Sequence, residues 1–181
     1  AELRACHRRE ADLLRQLLKT DPNAVEDQHV VRLCESLFEQ GDLDTARTLV
    51  DAVLRQTPDR LGALFYKGLL SEPDPRNCPE PRRLAVREQA IRSLSDPIHR
   101  SLELGLFYQQ GGQLDQAAAE WRSVLDATAS QGDRDMPVYL RIRSISPRHV
   151  AAGYLFDLAR DREDWKLAEE VVTLAKRDNL D

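Results

Sequence analysis

Between Leu104 and Trp121 the chain runs Leu104-Gly105-x-x-Tyr108, then Gly111-Gly112, then Ala117-x-x-x-Trp121, a pattern that few folds accommodate. Leu104, Tyr108, Trp121 and Val124 recur at steps of three and four, the spacing of helical faces, and the paired glycines break the first helix. The pattern therefore predicts a helix, a tight turn and a second helix returning along the first. Gly105 and Ala117 fall where the two helices press together, because a side chain larger than a methyl group there would hold the backbones apart. Leu114 packs back on the pair after the turn, and Asp115 favours the start of the second helix through its dipole.

The same order of residue types appears upstream as Leu33, Cys34, Leu37, Gly41, Leu43, Ala46, Val50, Val53 and Pro58, with Cys34 at the small position. From Ala46 to Ala117 is 71 residues, close to two periods of roughly 34. One further unit with a short insertion should lie between. Leu64, Gly68, Leu69 and Leu70 match its first helix, and Leu84, Val86, Ala90, Ile91 and Leu94 its second. Between them, Ser71 to Pro81 carries four prolines, which exclude a regular helix. A fourth unit is traced by Leu155, Phe156, Ala159, Trp165, Ala168, Val172 and Ala175, with Glu163 replacing the turn glycine and Phe156 at the small position. At the start, Ala11, Leu14, Leu17 and Leu18 followed by Asp21-Pro22 look like the second helix of a partial unit.

On these motifs the chain resembles the tetratricopeptide repeat family over nearly its whole length. The resemblance implies an all-α fold, a right-handed superhelical stack of antiparallel helix pairs, with units at approximately 1–22 (partial), 27–60, 61–97 with the proline-rich insertion, 98–131 and 149–181. It also implies a non-catalytic protein–protein interaction scaffold or adaptor. The chain begins at Ala1 and ends on Asp181 without an evident cap, so a fragment of a longer protein is expected, with a membrane tether on a removed segment as one option.

Bulk properties narrow the function classes. With 41% hydrophobic and 31% charged residues the sequence is that of an ordinary folded chain, and no apolar run approaches the roughly 20 residues that cross a bilayer. A net charge of -5, with arginines interleaved among acids, argues against nucleic-acid binding, which needs a concentrated basic face. The densest basic cluster, Arg141, Arg143, Arg148 and His149, is expected on a solvated loop. Cys6, Cys34 and Cys78 lack metal or redox spacing; Cys34 reads as a small filler, Cys6 as incidental on a helix and Cys78 as an exposed loop thiol, all compatible with a reducing compartment. The 22 arginines against 4 lysines lean towards a high-GC bacterial genome, where similar modules serve envelope, secretion or polysaccharide-export complexes. No phosphate loop, dinucleotide fingerprint, nucleophile elbow or His-Glu-x-x-His helix is present, and neither a cofactor nor a metal site is expected.

In the family-like stack the first helix of each unit lines the concave side. One turn from the packing stripe, that face carries Val31, Glu35, Phe38 and Glu39 in one unit, Phe65 and Leu69 in the next, and Leu102, Leu106 and Gln109 in the following one. Gln28, His99 and Gln110 flank these, and Asp157 and Arg160 are the last unit's counterparts. Val31, Glu35, Leu69 and Leu106 stand where family members that grip carboxylate tails place lysine and asparagine, so that clamp is missing. An apolar track with an acidic rim suits a peptide or amphipathic helix carrying basic residues. Occupation by a terminal helix such as Glu2 to Leu18, or by a second copy as a homo-oligomer, is the competing expectation. The alternative function is a regulatory or ligand-sensing helical domain with a closed small-molecule pocket. The insertions, Ser71 to Arg83 and Ala127 to Arg148, are further candidate surfaces; in the second, Pro137 to Ile145 alternates like a short strand or docking arm, although the pattern equally allows a helix.

Overall fold

The computed structural model describes residues 2–21, 26–127 and 146–177, and among these every regular element is a helix. They are α1 (Glu2–Thr20), α2 (Asp27–Glu39), α3 (Leu43–Gln56), α4 (Leu61–Leu70), α5 (Glu80–Arg92), α6 (Pro97–Gln110), α7 (Leu114–Asp126), α8 (Pro147–Asp161) and α9 (Trp165–Arg177). The chain divides into two compact units, residues 1–94 and 95–181.

Local chemistry sets several helix ends. Asp96 caps α6, its carboxylate accepting from the Ile98 amide at 2.9 Å, and Pro97 follows where no amide donor is needed. Ser146 and Pro147 do the same for α8, the Ser146 hydroxyl accepting from the Arg148 amide at 3.2 Å. The last helix pair thus begins two residues before the expected position 149.

Three turns share one hydrogen-bond pattern. After α2 the Gly41 amide donates to the Phe38 carbonyl and the Asp42 amide to Leu37; after α6 the Gly112 amide donates to Gln109 and Gln113 to Tyr108; after α8 the Glu163 amide donates to Arg160 and Asp164 to Ala159. Each is a Schellman closure, and the residue at its centre is left-handed: φ is 70° at Gly41, 72° at Gly112 and 55° at Glu163. Glu163 therefore occupies the glycine's backbone state, as its place in the motif predicts.

In the first unit α1 packs on α2 and α3, α2 and α3 both contact α4, and α4 contacts α5. Leu33, Cys34, Leu37, Ala46, Leu49, Val50 and Val53 form a core joined by Ala11, Leu18, Ala63, Tyr66 and Val86. A Cβ placed on Gly68 would come within 2.8 Å of Val86 Cγ1, so the middle unit also brings a glycine against its second helix. In the second unit α6 packs on α7, and α8 packs on α7 and α9. Leu104, Gly105, Tyr108, Ala117, Trp121 and Val124 are all buried, as the opening motif predicts. Burying a large side chain such as Trp121 contributes roughly 2–3 kcal/mol.

Two expectations about the loops are corrected. Cys78 is half-buried against the core of the first unit rather than exposed, and Arg76 places its guanidinium over the α2–α3 turn, donating to the Glu39 carbonyl at 3.4 Å. The proline-rich segment thus folds back on its own unit instead of projecting from it. Arg148 and His149 lie on α8, not on a loop, and Arg148 donates to the Leu125 carbonyl at the end of α7. Arg141, Arg143 and the alternating stretch Pro137 to Ile145 lie outside the described residues.

Candidate functional site

The groove positions fall in both compact units, and each set stands by itself. In the first unit, α2 exposes Glu35 and Glu39 and leaves Val31 and Phe38 half-buried, while α4 brings Phe65 to the same state. Val31, Phe38 and Phe65 all rest on the core. The organiser of this patch is a residue outside the predicted groove set. Tyr66 sits edge-on to Phe38, with ring centroids 5.4 Å apart at 62°, and edge-on to Phe65 at 5.2 Å and 70°. Such aromatic pairs add about 0.5–1.5 kcal/mol beyond burial, so the patch is a built cluster tying α2 to α4. Burial pushes the Tyr66 phenol well above its ordinary range, and the charge and hydrogen bond of Glu35 add to that rise. Glu35 is thereby engaged with the cluster as well as facing solvent. The adjacent pair Phe65-Tyr66 in mid-helix is the signal that one ring must point inward.

Leu69 is not a groove residue. It is 2% exposed, because α4 is contacted by α2, α3 and α5 and has little free face at its C-terminal end. The same correction applies in the second unit to Leu102, which is 1% exposed within α6. Neither side chain reaches a partner without opening the core.

What α6 does present is narrower. Leu106 and Gln109 are half-buried, Gln110 is exposed, and half-buried His99 lies 3.6 Å from Glu103 one turn on. On α8, Asp157 and Arg160 are exposed and pair with each other at 3.1 Å, a solvated helix contact of small energetic weight. Gln28 is exposed on α2.

Two depressions of the first unit lie away from the aromatic patch. One is lined by Asp51, Leu54, Arg55 and Lys67, the other by α1 and α3 residues including Asp12, Arg15, Lys19 and Gln56. Both open to solvent and are lined by charges of both signs, unlike a closed pocket with convergent polar groups. Among the described residues no three His, Cys, Asp or Glu side chains gather as a metal-binding set, and no helix is long and apolar enough to cross a membrane.

No family model matches the sequence, and no curated protein and no solved structure matches it either.

Proposed function

We propose that the chain is a right-handed stack of tetratricopeptide-like antiparallel helix pairs acting as a non-catalytic scaffold that holds a peptide or amphipathic helix of a partner protein. The observation that carries this reading is the aromatic patch of the first unit. Val31, Phe38 and Phe65 stay partly exposed on the core, the two phenylalanine rings edge-on to Tyr66, beside the outward carboxylates Glu35 and Glu39. Pre-ordered aromatic surface with acids at its edge favours a segment that offers apolar anchors and basic flanks, since little entropy is lost on the protein side. The three matching Schellman turns support the repeat reading independently of residue type. The free thiols Cys6, Cys34 and Cys78 fit the reducing side of a cell, and an envelope or secretion assembly remains the analogy drawn from arginine usage.

The test is selection from a displayed peptide library, followed by titration of the enriched peptides. Enriched sequences should pair aromatic or aliphatic anchors with Lys or Arg. Their binding should weaken about 10-fold or more in a Glu35→Lys, Glu39→Lys double variant, and also in Phe65→Asp, with helicity unchanged. Enrichment of acidic peptides, or binding indifferent to all three positions, overturns the reading.

A further inference from the structure

The shared turns give the second helices a common register. Counting from the left-handed residue, the stripe Leu43, Arg47, Val50, Leu54 on α3 corresponds to Leu114, Ala118, Trp121, Leu125 on α7 and to Trp165, Glu169, Val172, Lys176 on α9. In the first two cases the stripe faces the next helix. Arg47 donates to the Leu70 carbonyl of α4 at 3.4 Å, and Val50 is buried. Trp121 stacks on Tyr154 of α8 with ring centroids 5.1 Å apart, and Leu125 is buried. On α9 the same stripe is open: Trp165 is 68% and Val172 38% exposed, and Glu169 and Lys176 are exposed with them. At 100° per residue the four fall within one narrow band of the helix.

The identities on this band point to its occupant. Where α7 has Ala118 and Leu125, α9 has Glu169 and Lys176, of opposite sign and seven residues apart, flanking Val172 by three and four positions. Neither has an ion-pair partner among the described residues. If two such helices cross antiparallel at Val172, Glu169 of each copy meets Lys176 of the other, and both charges are matched twice over. A partner of single charge sign would satisfy one position and repel the other. We propose that this band of α9 is a self-complementary, two-fold interface through which two copies of the chain associate, Val172 at its centre and Trp165 at its flanks.

The experiment is sedimentation equilibrium of the 181-residue chain from micromolar to several hundred micromolar, for the wild type, Glu169→Lys, Lys176→Glu and the equimolar mixture of the two variants. All altered positions are solvent-exposed, and circular dichroism checks that each variant folds. The wild type should show a reversible monomer–dimer equilibrium. Each variant alone should dissociate at least ~10-fold more readily, because like charges then face across the axis. Mixing should restore dimer, since one variant then carries lysine at both positions and the other glutamate at both, so every facing pair is again of opposite sign. A wild type that stays monomeric throughout, that grows beyond a dimer, or whose association ignores both charge reversals overturns the proposal, as does a mixture no tighter than its components.

Discussion

A Cβ added to Gly105 would fall onto Nε1 of Trp121 and lie 2.5 Å from its Cδ1. The indole is fully buried and also packs on the Tyr154 ring, so it has little room to retreat. The glycine is the space that the tryptophan fills.

Gly105→Ala should therefore cost about 1–3 kcal/mol despite the better helix propensity of alanine, because overpacking outweighs a gain of under ~1 kcal/mol. Gly153→Ala is the control. A Cβ on Gly153 meets nothing within 4 Å, so that change should be neutral or stabilising by up to about 1 kcal/mol. Urea denaturation of both variants checks the contrast; equal midpoints would contradict the packing of α6 on α7.

At the turns, Glu163 holds a backbone state that costs a non-glycine residue about 1 kcal/mol. Glu163→Gly should raise stability by up to about 1 kcal/mol, and Gly112→Ala should lower it by a similar amount at φ 72°. Thermal melting reads both. A loss on Glu163→Gly would mean that the glutamate side chain does something the turn does not require.

Much of this is legible from residue order. The glycine before the aspartate or glutamine of the first two turns, the small residue seven positions earlier and the large apolar residue nine positions later are local facts of spacing, and they return as φ 70° at Gly41, burial of Cys34 and the Gly105–Trp121 contact. The groove is less legible because a single helix cannot announce how many neighbours it has. In Leu61–Leu70 only Lys67 is charged, so no polar face marks solvent, and spacing alone places Leu69 outward while three helices enclose α4. Phe38 is held by Tyr66 across the gap between α2 and α4, a contact between residues 28 positions apart that no period reveals, while Phe65 meets its chain neighbour Tyr66 within α4. Cys78 and Arg76 belong to a proline-rich loop whose return path over Gly41 has no periodic signature at all.

Leu102 and Leu106 separate core from surface on α6. Leu102→Asp should destabilise the fold by roughly 3–5 kcal/mol, since it buries a carboxylate at a site that is 1% exposed, while half-buried Leu106→Asp should cost distinctly less. Chemical denaturation followed by circular dichroism distinguishes them. Equal losses would place both side chains inside and remove Leu106 from any partner surface.

Arg8 on α1 donates to the Asp42 carboxylate at 2.5 Å, and Asp42 is nearly buried in the α2–α3 turn, where it also accepts from the Thr45 hydroxyl at 2.9 Å. His7 meets Gln40 beside them, so α1 is moored to this turn by polar contacts as well as by Ala11 and Leu18. The Arg8 hydrogen bond, reinforced by Thr45 and opposed by burial, holds the Asp42 carboxyl below its ordinary value of 3.8. A folded value below the unfolded one means stabilisation that is fully present above pH ~4 and is lost as pH falls through the lower folded value. Arg8→Met keeps the apolar stem and removes the hydrogen bond, so it should be less stable than wild type at neutral pH, with the gap closing as the pH drops below 3.8. Urea midpoints for both proteins between neutral pH and pH ~2 provide the check, the remaining carboxylates titrating alike in each background. Two curves that run parallel to the acid end would show that Arg8 and Asp42 are not coupled in the folded chain, and α1 would then be held by the His7–Gln40 contact and by the apolar side chains Ala11 and Leu18.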